Sequence, residues 1–285
     1  MYFRKLTIII MVFGLIPVLM KGQTEHHVVP EDEEDVYFLL MGQADDAIKS
    51  ENYEDAAKRL IEAMSVRPGA PTNVLLLSNL GMVYNMLGED SLALASFNRA
   101  HEMAPSMVTV LENRGRLYLK LSRDMDAYND FGKVIELDSM NHSARYYHGM
   151  MALYGGDAST ASRDFNFLQK YYPSLYETQV AMANYHSLLR NDREAIPYYK
   201  KLIEDDPSPE YYSSLAGCYL ALGNLSDASE TLAKGLDLYP EDAELYYYRA
   251  WLNRDRYLFN DAREDAKRSI QYGADPNKVN ALLGN

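Results

Sequence analysis

The sequence predicts an all-α chain, a solenoid of about seven stacked antiparallel helix pairs followed by a short C-terminal capping helix. Three observations carry that expectation. A small residue recurs at Ala56, Ala93, Ala127, Ala161, Ala195, Ala228 and Ala262, at intervals of 37, 34, 34, 34, 33 and 34 residues. Twelve residues before each lies a second small residue, namely Ala44, Gly81, Gly115, Gly149, Ala183, Ala216 and Ala250. Four residues after each comes a large or aliphatic one, Leu60, Phe97, Phe131, Phe165, Tyr199 and Leu232, with Ala266 taking that slot in the last copy. The least degraded copy, Leu77 to Pro105, splits at Gly88-Glu89-Asp90 into two segments of helical period. A helix pair this short cannot bury its apolar face alone and needs a copy of itself alongside.

Taken in order, residues 1–22 read as a signal peptide. Arg4 and Lys5 supply the positive start, Leu6 to Met20 the apolar run, and Gly22 a small residue before a cut. The run is shorter than the roughly 17–25 residues of a spanning helix; the alternative is an uncleaved inner-membrane anchor. No Cys lies near the cut, which argues against a lipid-anchored lipoprotein. Export is therefore the expectation, to the periplasm or otherwise outside the cytoplasm, with no membrane insertion after cleavage. Residues 23–35 form an acidic leader, in which His26 and His27 lack the further ligands of a metal site.

The repeats then occupy 36–275, divided approximately at 37–70, 74–107, 108–141, 142–175, 176–208, 209–242 and 243–275. Gly88, Gly156 and Gly223 sit where first helices stop, in a left-handed turn. Asn52, Asp157, Asn191 and Asn224 follow as expected caps of second helices. Pro68, Pro105, Pro173, Pro207 and Pro240 end second helices, since proline has no N–H to donate. The 37-residue interval arises from extra residues around Pro71-Thr72-Asn73, and the 33-residue one follows Pro207-Ser208-Pro209. Both are loop-length changes. Residues 276–285 start a last helix at Pro276 and Asn277, with Val279, Leu282 and Leu283 as its apolar side.

Charge and motif content narrow the function. The chain carries a net charge of −13, which becomes −16 once Arg4, Lys5 and Lys21 leave with the signal. Such a surface repels nucleic-acid phosphates and anionic lipid heads. Cys218 is the only cysteine, so no internal disulfide forms, and a buried filler is expected. There is no HExxH, phosphate loop, GxSxG or CxxC, and His101, His142, His148 and His186 are scattered without a partner pattern. No enzyme, cofactor or metal site is expected. Asp90-Ser91-Leu92 and Asp138-Ser139-Met140 match a loose acceptor pattern for O-glycosylation of exported proteins at predicted turns.

The 34-residue period with these small and aromatic slots resembles the tetratricopeptide repeat family over about Val36 to Ala274, in a form exported by bacteria. The resemblance implies a superhelical stack whose first helices line a concave groove. The slots it carries over are Asn79, Met82 and Asn85 in the second copy and Asn113, Arg116 and Lys120 in the third. The fourth copy supplies Tyr146, Tyr147 and Met150, the fifth Asn184, and the last Tyr247, Trp251 and Arg254. Asn amides can bond an extended backbone in both directions, Tyr and Trp offer contact area, and Arg116 with Lys120 place positive charge for a carboxylate. The full carboxylate-gripping set of some family members is not present. What the resemblance implies is a non-catalytic scaffold or adaptor of the cell envelope, holding a peptide or partner protein. The alternative is a structural subunit using its convex face or ends.

Overall fold

The computed structural model describes residues 32–284. The signal-peptide expectation and most of the acidic leader lie outside the described residues. Among the described residues the chain is all helical, with fifteen helices and no strand. It divides into two compact units that meet in sequence at Tyr147 and His148, inside α7 (His142–Tyr154).

The first unit contains α1 (Glu33–Lys49), α2 (Tyr53–Val66), α3 (Asn73–Met86), α4 (Asp90–Met103), α5 (Val108–Lys120), α6 (Asp124–Leu137) and the start of α7. Helices pair as α1 with α2, α3 with α4 and α5 with α6, and α3 also touches α5. The second unit holds the rest of α7, then α8 (Ala158–Tyr171), α9 (Tyr176–Leu188), α10 (Asp192–Asp205), α11 (Pro209–Ala221), α12 (Leu225–Leu238), α13 (Ala243–Asp255), α14 (Phe259–Gln271) and α15 (Pro276–Leu283). Here α9 pairs with α10, α11 with α12 and α13 with α14. The short α15 lies on α13 and α14, burying Val279 and Leu282 against Ala250 and Ala266.

The closest contact inside each pair explains both rows of small residues. All seven alanines of the second helices are fully buried. Where the residue four places on is Phe, the facing position of the first helix is Gly. A Cβ on Gly81 would stand 2.7 Å from the Phe97 ring, one on Gly115 3.0 Å from Phe131, and one on Gly149 2.5 Å from Phe165. Where that residue is Leu60, Tyr199, Leu232 or Ala266, the facing position is Ala44, Ala183, Ala216 or Ala250. In the three Phe repeats the two positions trade volume, whereas Tyr199 opposite Ala183 and Ala266 opposite Ala250 do not follow that exchange.

The turn inside each pair is the same throughout. Residues with positive φ stand at Glu51, Gly88, Ser122, Gly156, Arg190, Gly223 and Tyr257, in the spacing of the buried alanines. Only three are glycine, so four turns hold a side chain in the left-handed region because the helices on either side require it. Every one of the five helix-ending prolines lies two residues beyond the last residue of its second helix, as at Val66 and Pro68. The cap expectation is corrected at two sites. Asn52 and Asp157 accept backbone N–H groups through their side chains, whereas Asn191 and Asn224 take the cap position without a side-chain bond.

A base paired with a buried acid braces three of the repeats. Arg114 Nε donates to Asp130 at 2.8 Å, Arg249 Nε to Asp265 at 2.9 Å, and His148 Nδ1 lies 2.6 Å from Asp164. In each case the base precedes the small residue of the first helix and the acid stands three places after the second-helix alanine. Two other histidines are less well provided for. His101 on α4 and His186 on α9 each bury Nδ1 with no hydrogen-bond partner among the described residues, although His186 stacks on Tyr198. Burial holds both imidazoles below their ordinary value, helped at His101 by the charge of Arg114.

Two outcomes follow from this packing. Gly149→Ala should destabilise the protein by about 1–2 kcal/mol, overpacking outweighing the gain of about 1 kcal/mol in helix propensity. Adding Phe165→Leu should recover most of that loss; a denaturation series in which the double variant is no better than Gly149→Ala would refute the volume exchange. For the histidines, the unfolded chain binds protons near pH ~6.5 and the folded one only lower. Their contribution is thus complete above that pH and is lost as pH falls beneath it. Thermal midpoints measured from pH 7.5 to 5.5 should drop, and should drop less in His101→Gln/His186→Gln; equal slopes would remove the histidines as the cause.

Candidate functional site

The expected binding residues fall into two groups, one in each unit. In the first, α3 presents Asn79, Met82 and Asn85, α5 presents Asn113, Arg116 and Lys120, and the start of α7 presents Tyr146 and Tyr147. The repeat spacing sets Asn79 and Asn113 at matching places on adjacent first helices, 34 residues apart. Both are half-buried, and neither side-chain amide has a hydrogen-bond partner among the described residues. Each retains a donor pair and an acceptor for an incoming chain.

Their neighbours are already engaged. Lys120 donates to Asn85 at 2.8 Å and pairs with Asp90. Arg116 Nη2 donates to Ser143 at 2.8 Å, approaches Glu112 at 3.7 Å and lies 5.8 Å from the centre of the Tyr147 ring. That ring stacks on Phe131 at 5.0 Å. The positive charge expected to await a carboxylate is therefore compensated from within, though Arg116 keeps a buried Nε with no partner among the described residues. Met82 packs against Ala93, Phe97 and Leu117. Tyr146 and Met150 are corrected outright as surface residues: both are buried, at 5% and 2% exposure, and offer no accessible face.

In the second unit, Asn184 on α9 is half-buried with a side chain unpartnered among the described residues. The α13 residues serve the end of the chain. Tyr247 and Trp251 pack against the cluster that docks α15. Trp251 Nε1 donates to Asp255 at 2.8 Å, Arg254 donates to the Leu282 carbonyl at 3.1 Å, and Lys278 Nζ sits 4.3 Å from the centre of the Tyr247 ring. These aromatic and cationic groups hold the last helix in place. The tethers Asp90 and Ser143 escaped sequence reasoning because they join different repeats, 30 and 27 residues from their partners. Within a single-repeat register the cations look free.

No cluster of three His, Cys, Asp or Glu among the described residues could hold a metal ion. Cys218 is buried, and burial pushes its thiol up to about 12, so the reactive thiolate is essentially unpopulated at neutral pH. No helix among the described residues is long and apolar enough to cross a membrane.

Comparison with known proteins agrees with this architecture. Two family models described as tetratricopeptide repeat match residues 41–108 and 192–252. The mitochondrial import receptor subunit TOM70 of Saccharomyces cerevisiae is 35% identical over 72 residues, which is 25% of this chain and 12% of the receptor. The chain thus matches only a small part of that relative's length. Among solved structures, a tetratricopeptide repeat protein from Parabacteroides merdae superposes with a TM-score of 0.64 at 24% identity, covering 87% of this chain and 98% of that one. YrrB, described as having an unusual peptide-binding site, gives a TM-score of 0.56 at 19% identity, covering 68% of this chain and 99% of that one. At these identities the structural likeness speaks for the fold.

Proposed function

We propose, for a chain whose family matches and solved neighbours support membership of the tetratricopeptide repeat family, that its interaction surface is the α3–α5 face and its ligand an extended peptide segment of a partner protein. The family is generally one of non-catalytic protein–protein interaction scaffolds. The observation that supports the finer reading is the pair of half-buried amides, Asn79 and Asn113, unpartnered among the described residues and set one repeat apart. Side chains so placed can each donate to and accept from successive peptide groups of a strand laid across the two helices. Tyr147, held flat by Phe131, adds a rigid aromatic face beside them. Arg116 and Lys120, compensated from within, position the face more than they attract charge.

The N-terminal segment, with Arg4 and Lys5 before the apolar run to Met20, supports export, so the partner would be met in the cell envelope or beyond. Capture from envelope extracts by the mature chain should yield a partner whose retention falls at least about tenfold with Asn79→Ala/Asn113→Ala, two lost hydrogen-bonding side chains at about 1 kcal/mol or more apiece. Helicity should be unchanged. Full retention by the folded double variant would exclude this face. Edman sequencing of the protein from its native host should begin near Gln23; a start at Met1 in the membrane fraction would replace export by anchoring.

A further inference from the structure

A second surface, independent of the α3–α5 face, lies in the second unit at the turn between α13 and α14. The other six turns of this kind place a polar residue after the left-handed position, namely Asn52, Glu89, Arg123, Asp157, Asn191 and Asn224. Here the run is Tyr257, Leu258 and Phe259. Tyr257 takes the left-handed position at φ 64°, where a bulky side chain is a genuine outlier. Leu258 stands at the cap of α14 and offers its N–H groups no side-chain acceptor. Both features cost stability, and backbone strain of this sort gathers at functional sites. The three side chains are 80%, 46% and 53% exposed. Tyr257 and Phe259 meet edge to face at 6.2 Å.

Cations lie beside this tip. Arg263 and Lys267 follow Phe259 at four and eight places along α14, so the three share one face of the helix. Both cations are exposed, and neither has an ion pair or hydrogen bond among the described residues. No other second helix carries two cations at these places. Of the nearby acids, Asp255 is held by Arg254 and Trp251, and Glu264 by Arg268, which leaves Asp261. Arg256 donates to the Leu225 carbonyl at 2.8 Å and so fixes the tip to the α11–α12 turn, where Leu222 is also exposed. The acidity of the chain lies elsewhere: residues 243–285 hold seven Lys and Arg against six Asp and Glu, whereas the whole chain is at −13.

We propose that this tip docks on an anionic lipid bilayer. Tyr257, Leu258 and Phe259 enter the headgroup region, and Arg263 and Lys267 meet lipid phosphates. A protein partner would have to offer a cavity shaped to three side chains of a convex turn. A bilayer interface accepts aromatic and aliphatic groups at headgroup depth without a preformed cavity, and long cationic side chains reach its phosphates from alongside. Each such cation adds attraction to an anionic surface. The acidic remainder of the chain is repelled by the same surface, which turns the tip toward it. The docking is interfacial and needs no spanning helix.

The test uses the chain from Gln23 onward, which retains all fifteen helices and removes the apolar run Leu6 to Met20 as a competing anchor. It is floated with vesicles of phosphatidylcholine alone or mixed with phosphatidylglycerol, at low salt. Recovery should be at least about fivefold greater on the anionic vesicles. Tyr257→Gly/Leu258→Asn/Phe259→Asp installs the residue types of the other turns, as at Gly223, Asn224 and Asp192. It should abolish flotation while its thermal midpoint stays level or rises. Arg263→Gln/Lys267→Gln should bring the two vesicle types to equal recovery. In Tyr257→Trp, emission should be quenched by brominated lipid more than in the parent, whose Trp251 is tied to Asp255. Should the triple variant fail to fold, this quenching decides alone. No flotation on either vesicle would leave the tip to a protein partner and overturn the assignment; so would equal flotation of the folded triple variant, or an unquenched Tyr257→Trp.

Discussion

Each helix pair closes on one contact: the side chain four places past the buried alanine of the second helix rests on the small residue of the first. Most other spacings follow from it. Helices this near set Phe97, Phe131 and Phe165 against Gly81, Gly115 and Gly149, where an added Cβ would come within 3.0 Å of the ring. The same proximity leaves three residues to reverse the chain, and the middle one takes a left-handed conformation. Ser122, Arg190, Glu51 and Tyr257 do so without being glycine. That conformation costs about 1–2 kcal/mol in a residue with a side chain, and the packing on either side supplies it.

Much of this architecture was legible in the sequence because period and residue size are local properties. The alanine spacing located all seven second helices, and Pro68 to Pro240 marked five of their ends. What was not legible was pairwise. The two rows of small and large residues could each be read, but their exchange of volume needed the distance from Gly149 to Phe165. Asn191 and Asn224 had the chemistry of caps, yet a side chain bonds the helix end only if its rotamer points inward, and composition does not say which way it points.

The candidate surface was less legible than the fold for the same reason. Residue type correctly marked Asn79 and Asn113 as polar groups on first helices. It could not show that Lys120 is spoken for by Asp90, or Arg116 by Ser143, because those partners belong to neighbouring repeats. Nor could it show that Trp251 and Arg254, attractive as binding groups, hold α15. The last helix covers an apolar face that would otherwise meet solvent, and aromatic groups there are occupied by the chain itself.

The basic–acidic pairs show how a repeat can change its interior side chains without changing fold. Asp130, Asp164 and Asp265 each face a base sixteen residues earlier. Where the acid is absent, at Arg59, Ser96, Tyr198 and Thr231, the base is absent too, and Gln43, Leu80, Met182 and Leu215 stand in its place. Removing one partner alone would leave a buried charge uncompensated, at about 3–5 kcal/mol; removing both is often neutral. The pair is thus exchanged as a unit, and what it leaves depends on the neighbours. At α9 the bulk of Met182 and Tyr198 takes up the space, with Tyr198 stacked on His186. At α11 the replacements are Leu215 and Thr231, both smaller than the pair they stand for, and the two tyrosines persist. The difference between a braced repeat and an unbraced one is then two side chains that leave the spacing of the small residues untouched.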